Sequence, residues 1–338
     1  MKKLYGFGDF HFGDMYPWQL DVGEHMLAWV DSLDVGPQQD AEAILAGDVF
    51  DNALNAGSCV AQIKKLADIL SKKFKFIYIL TGNHDRKKHK GKIQNSLEFL
   101  NSWSNIRVIE NPEVVVTENG FTCLLMPYTV DEGQGFVSDT YDKWAVTVKH
   151  KNIDVIAGHW TKKSSDVPFA GGDFVDIDKY PKPVTYFLGH IHTRIDEDYL
   201  GSIWATKITE SNTDYPRAVK VLDSDRRVTE IPVPEFVKYK AIRYPEKITD
   251  PDDGGLIYIY TVENFNNLQA AKVFYKGYNI KAVSKGTDFT KADSVESSDE
   301  DLISYTDMKK AFDDMIRESD IKVSRKLYKL VTNLLDNN

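Results

Sequence analysis

Five short stretches carry most of the chemically capable side chains of this chain: Gly8-Asp9-Phe10-His11, Gly47-Asp48-Val49-Phe50-Asp51, Gly82-Asn83-His84-Asp85, Gly158-His159-Trp160 and Gly189-His190-Ile191-His192. They hold five of its eight histidines. Carboxylate, amide and imidazole groups are what two closely spaced divalent cations require, since each ion needs several N or O donors fixed by rigid elements. The set contains no thiolate, which favours manganese, iron or zinc in an N/O site over a cysteine-zinc finger. In extended backbone, residues two apart share a side, so Asp9 with His11, and His190 with His192, point the same way and can face one cavity. The glycine before each group lacks a Cβ and lets the chain turn sharply off a strand at the ligand.

For these residues to meet, the elements before them must end at one edge. Apolar runs at 3–7, 43–46, 76–80, 153–157 and 184–188 are rich in β-branched or aromatic residues, and each stops at Gly or Thr-Gly followed by polar residues. Each reads as a buried strand ending in a loop. Between the second and third, residues 61–70 place Ile63, Leu66, Ala67 and Leu70 on one helical face, giving strand, helix, strand. That crossover makes the strands parallel. Parallel strands deliver their C-terminal loops to one edge, where ligands bind.

A chain of 338 residues exceeds what one core usually serves, so more than one domain is expected. With 42% hydrophobic and 28% charged residues, the composition is that of a soluble globular protein. No run is long and apolar enough for a membrane span, and the N-terminus lacks a signal-peptide pattern; a cytoplasmic location is expected. Cys59 and Cys123 have no C-x-x-C partner and read as reduced, buried thiols. The net charge of −9 argues against coating of nucleic acid by overall basicity, although residues 293–301 alone contribute five acids and no base.

Beyond about residue 234 the pattern changes. Strands at 237–245 and 256–263, a helix at 266–276 and a strand at 278–283 are expected, forming a small α+β module. An acidic linker follows, then two helical stretches with apolar stripes, Met308, Phe312, Met315 and Ile316 in the first and Leu327, Leu330, Val331 and Leu334 in the second. The expected division is 1–233, 234–290, 291–305 and 306–338.

The five motifs, in this order, resemble the calcineurin-like metallophosphoesterase superfamily, over roughly residues 1–210. The resemblance implies a layered α/β sandwich with a smaller α+β capping domain and C-terminal helices. It implies one metal held by Asp9, His11, Asp48 and His192 and a second by Asp48, Asn83, His159 and His190, with Asp48 bridging. His84 would act near the leaving oxygen. Two divalent ions, two carboxylates and a bridging hydroxide leave about +1 to meet a phosphodiester.

Within the superfamily the chain is most similar to the SbcD-type nuclease subunit of double-strand-break repair and its tailed-phage recombination-endonuclease relatives. The Gly47-to-Asp51 block lacks the following Arg-Gly of protein phosphatases, and Asp85 stands where they have Glu. Tyr199 to Ser202 (YLGS) and Pro216-Arg217-Ala218 look like the stretch that closes the nuclease domain there, with Ala218 in place of the usual Gly. The resemblance implies manganese-dependent 3′ to 5′ exonuclease and endonuclease activity in DNA repair or recombination, a homodimer, and a separate SMC-like coiled-coil ATPase, since this chain has no P-loop. Leu327, Leu330, Val331 and Leu334 are the expected partner surface.

Asp51 and Asp85 join His84 as catalytic candidates, although an acid just after a ligand more often holds a neighbouring group. Arg86, Lys87, Lys88, Lys90 and Lys92 form a basic loop that is either solvated or in contact with a phosphate backbone. Tyr16 and Trp18 either stack on bases or, the favoured reading, pack locally. His25, His89 and His150 read as ordinary surface residues. The metal motifs alone do not select DNA: a small-phosphodiester or cyclic-nucleotide phosphodiesterase, and a DNA-end-binding scaffold for the ATPase, are the rival readings.

Overall fold

Alternation of side chains across the Lys3–Phe7 strand divides the interior in two. Leu4 faces a layer with Ile44, Leu80, Val155 and Phe187, while Tyr5 and Phe7 face another with Val22, Met26, Ile63 and Leu70. The first layer lies between two sheets. The second lies under α1 (Pro17–Ser32) and α2 (Ser58–Lys73). On the far face of the second sheet, Leu124, Met126, Ile156 and Leu188 meet Tyr141, Ala145 and Val148 of α3 (Ser138–Val148). The order is therefore helix, sheet, sheet, helix, the layered α/β sandwich expected. Gly6 lets the sheets approach, since a Cβ there would stand 2.5 Å from the Phe187 ring.

This computed structural model describes residues 1–52, 57–89, 92–131, 135–136, 138–163, 174–207, 210, 215–243, 247–248, 256–263, 274–276 and 278–282. The chain divides into Met1–Thr287 and Asp288–Asn338. The acidic linker, both terminal stripes and most of the helix expected at 266–276 lie outside the described residues.

The first sheet runs Val228–Pro232, Ala218–Asp223, Lys3–Phe7, Ala41–Leu45, Phe76–Leu80, Ile106–Ile109, with the last four parallel and the first two added antiparallel. The second runs Thr185–Gly189, Val155–His159, Thr122–Met126, Glu113–Val116, and its first three are parallel. Each of the five expected strands is present within two residues of its expected bounds. The expected helix at 61–70 is α2, longer at both ends. Neither the antiparallel strands nor α1 were among the expected elements; the apolar periodicity of α1 is weak because Gly23 and Gln19 share its buried face.

Val237–Arg243, Ile257–Glu263 and Ile280–Ala282 form a small parallel sheet. Phe236, Val237, Tyr239 and Ile259 belong to the same core as α1, so this module is seated on the sandwich by apolar contact. Cys59 and Cys123 are free and buried. No helix among the described residues is long and apolar enough to cross a membrane.

One strand residue tests the packing through pH. Lys220 is buried beside Gly6, and its ammonium donates to the carbonyls of Tyr186, at 3.1 Å, and Glu197. Burial pushes it down from 10.5 to about 8. Between those values the unfolded chain binds the proton that the folded chain has released, so folding stability rises with pH from about 8 to 10.5 and not below. Urea unfolding of wild type and Lys220→Met should show a stability difference that shifts in favour of wild type between pH 8 and 10. A difference independent of pH contradicts this environment for Lys220.

Candidate metal centre

Both sets of parallel strands end at one edge, and every motif lies there. Asp9 follows Lys3–Phe7, Asp48 follows Ala41–Leu45, Asn83 and His84 follow Phe76–Leu80, His159 closes Val155–His159 and His190 follows Thr185–Gly189. Loop is tied to loop: the amides of Phe10 and His11 both donate to the Asp48 carbonyl at 3.0 Å, and Ile203 N donates to the Asp9 carbonyl at 2.7 Å.

The sharp turn falls on the ligands rather than on the glycines before them. His11, Asp48 and His190 have φ of 48°, 45° and 78°, a region costly for residues with a Cβ and tolerated where the surroundings enforce it. Of the five preceding glycines only Gly47, at φ 104°, uses that region. What they provide instead is close approach. A Cβ on Gly82 would lie 2.0 Å from Asp48 Oδ1, and one on Gly189 2.3 Å from Asp9 Oδ1.

The seven expected ligands come together in two adjoining groups. In the first, His11 Nε2 faces His192 Nε2 at 2.9 Å, and donor atoms of Asp9, His11 and His192 lie within 4.8 Å of one another. Asp9 Oδ1 is buried with no hydrogen-bond partner, while Oδ2 accepts from His190 N at 3.0 Å. In the second, His159 Nε2 is 2.9 Å from Asn83 Oδ1 and 3.2 Å from Asp48 Oδ2, and His190 Nδ1 is 3.1 Å from the same Asn83 oxygen. Asp48 Oδ2 is also 3.8 Å from His11 Nε2, so Asp48 stands between the groups.

Two outer ring nitrogens are already engaged: His159 Nδ1 donates to the Ala46 carbonyl at 2.7 Å, and His192 Nδ1 donates to Glu210 Oε1 at 2.9 Å. Their Nε2 atoms therefore face the cluster. Acceptors packed against acceptors without water are costly unless positive charge lies among them. The protein alone meets this with a proton. Burial pushes the His159 imidazolium down, but Asp48 and Asp9 outweigh it and hold it at about 9. Burial, with His159 nearby, drives His190 down to about 3. An orphaned carboxylate oxygen, converging imidazoles and pre-engaged outer nitrogens fit divalent cations.

His84 stands at the rim. Its Nδ1 donates to the Asp51 carbonyl at 2.5 Å, its Nε2 is 4.0 Å from Asp48 Oδ2, and its side chain is 39% exposed where the neighbouring Asp48 is 1%. Asp85, a catalytic candidate in the sequence, is instead a brace: its carboxylate accepts from Phe50 N at 2.9 Å and Gly82 N at 2.8 Å, tying the Asp48 loop to the Asn83 loop. Asp51 also acts on a neighbour, with Oδ1 3.6 Å from His11 Nδ1 and Oδ2 accepting from Gln19 Nε2 at 3.0 Å.

Arg86 turns inward, its guanidinium donating to Thr81 Oγ1 at 2.8 Å and the Glu110 carbonyl at 2.6 Å, which removes it from the expected phosphate contacts. Lys87, Lys88 and Lys92 lie on the hairpin of Arg86–His89 and Lys92–Asn95; Lys90 lies outside the described residues. Trp18 is buried, stacked on Tyr16 and edge-on to Trp204, which is packing. His25 and His150 are exposed. Sequence reasoning missed Gln19, Thr206 and Glu210. Gln19 and Glu210 carry no spacing signal that pairs them with Asp51 or His192, and only the fold does so.

A two-sheet sandwich with carboxylate, amide and imidazole donors at the ends of its parallel strands defines a metal-dependent phosphoester hydrolase. The family profile described as calcineurin-like phosphoesterase matches residues 2–194, which contain all five motifs, and the chain belongs to that family. No curated protein matches the chain. Among solved structures it is similar to a protein of unknown function, AQ665 from Aquifex aeolicus, at 15% identity over 48% of this chain and 82% of that one, with a TM-score of 0.28.

Gly82→Ala leaves every donor in place yet pushes a methyl group against Asp48. Titration calorimetry with Mn2+ should show affinity reduced more than about tenfold, the scale of a disturbed ligand support, with the far-UV circular dichroism of wild type. Unchanged affinity contradicts the close packing of these loops.

Proposed function

We propose that the chain is a two-metal-dependent DNA nuclease, both 3′ to 5′ exonuclease and endonuclease, working with manganese and with a separate SMC-like coiled-coil ATPase in repair or recombination. The observation that carries the phosphodiesterase part is the convergence of Asp9, His11, Asp48, Asn83, His159, His190 and His192 beside an accessible His84. In this reading Asp9, His11, Asp48 and His192 hold one cation and Asp48, Asn83, His159 and His190 the other. When bound, such a pair supplies charge to meet a phosphoryl group and acidity to a water.

The remaining work belongs to side chains. With Nδ1 anchored on the Asp51 carbonyl, His84 presents Nε2 as the atom that hands a proton to the departing oxygen. Gln19 and Asp51 keep the His11 ring in place. Glu210 does the same for His192.

Two features support DNA over a small diester. The hairpin of Arg86–His89 and Lys92–Asn95 begins two residues after His84 and carries Lys87, Lys88 and Lys92, suited to a phosphate backbone. The small module seated against α1 is an addition that a minimal phosphodiesterase does not need. Support for the ATPase rests on the resemblance of the motifs and on the stripe Leu327, Leu330, Val331 and Leu334.

Purified protein with Mn2+ is expected to degrade linear duplex DNA. His84→Gln should lower turnover by about 10²- to 10⁴-fold, the usual worth of a general acid, while retaining Mn2+ binding; Asp48→Ala should lose both. Cleavage retained in both variants rejects the assignment. Turnover of bis(p-nitrophenyl) phosphate with no action on DNA would favour a small-diester enzyme instead.

A further inference from the structure

One loop joins the cation cluster to the small module. Ser202 N donates to the His192 carbonyl at 3.0 Å, Ile203 N to the Asp9 carbonyl at 2.7 Å, and Trp204 Nε1 to the Phe10 carbonyl at 2.8 Å. The same loop supplies Thr206, whose amide donates to Glu210 at 2.6 Å and whose hydroxyl lies 3.0 to 3.1 Å from the Glu210 carboxylate oxygens. Lys207 N donates to that carboxylate at 3.1 Å. Glu210 is buried, at 5% exposure, and its carboxylate also accepts from His192 Nδ1. A carboxylate held by two amides and a hydroxyl is a fixed acceptor, and it sets both the tautomer and the tilt of the imidazole that donates to it.

From the other side, Tyr239 on Val237–Arg243 reaches the loop. Its hydroxyl donates to the carbonyls of Thr206 at 2.8 Å and Ala205 at 3.2 Å, and its ring shares a core with Ile203, Trp204 and Ala205. The Arg217 guanidinium, donating to the Glu210 carbonyl, closes the arrangement.

We propose that Glu210 is a positioning residue for His192, and that Tyr239 holds the loop bearing Thr206 so that the seating of the small module sets the cation affinity of the Asp9, His11 and His192 group. The inference rests on the metal-centre reading above. Movement of the module would thereby reach the cluster through two hydrogen bonds and one loop, with no ligand of its own. Tyr239 touches no donor atom of the cluster, so its effect on the cations passes through the loop, by way of Glu210 and of the Thr206 hydroxyl 3.1 Å from His192 Nδ1.

The test is Mn2+ titration calorimetry on the full chain, with circular dichroism and thermal unfolding as controls for folding. Glu210→Gln should weaken binding at one site by about 10- to 100-fold, the usual effect of losing a carboxylate behind a metal-bound histidine. Tyr239→Phe removes one oxygen and should weaken the same site by roughly two- to tenfold, the worth of a neutral hydrogen bond. The double variant should lose less than the two single losses combined. Wild-type affinity in Tyr239→Phe, or a double variant that shows both losses in full, overturns the coupling. Should Glu210→Gln fail to fold, Tyr239→Phe decides alone. Failure of wild type to bind Mn2+ overturns the metal centre itself, whereas two bound ions with no effect of Tyr239 overturn only the coupling.

Discussion

Two buried carboxylates, an amide oxygen and four imidazoles crowd into one edge of this molecule, and positive charge at their centre is what makes that crowding bearable. Left to itself the protein draws a proton to His159, which Asp48 and Asp9 hold at about 9 in spite of burial. Much of the surrounding structure answers to the same demand. Several atoms of the cluster that face outward have fixed partners: the Ala46 carbonyl for His159, Glu210 for His192 and the His84 amide for Asp48. With those atoms held from outside, their opposite faces are turned to the centre of the cluster.

Holding such a cluster requires rigidity, and the fold supplies it from several directions at once. Parallel strands from two sheets end at one edge, and short bonds such as Phe50 N and Gly82 N to Asp85 lace their loops together. That lacing keeps His11, Asp48 and His190 at positive φ, a conformation each would leave in isolation. Glycines allow loop backbones to come within contact of the carboxylates. Replacement of any one brace is thus felt by several ligands.

Much of this was legible in the residues themselves. Five apolar runs stopping at glycine declare strand ends, so the layered α/β fold and the meeting of the five motifs at one edge could be read before any coordinates, whereas the shared side expected of His190 and His192 in extended chain gives way to a positive φ at His190 that sends them to different groups. The reason for the glycines was misread, because the φ of Asp48 or His190 depends on loops that only tertiary structure brings together. Gln19 and Glu210 were invisible for the same cause: one sits on a helix and the other 18 residues beyond His192, and neither has a spacing that points to its partner. Arg86 read as one member of a basic run, yet Thr81 and Glu110 draw it inside. Apolar attachment of Phe236, Val237 and Tyr239 to the core under α1 also lay beyond periodicity.

The central claim concerns charge at two adjoining points, and anomalous scattering from crystals grown with Mn2+ addresses it most directly. Two peaks are predicted, one bounded by Asp9, His11 and His192, the other by Asn83, His159 and His190, with the Asp48 carboxylate between them. Absence of manganese from this edge, or peaks bound elsewhere while these seven side chains keep their positions, would contradict it.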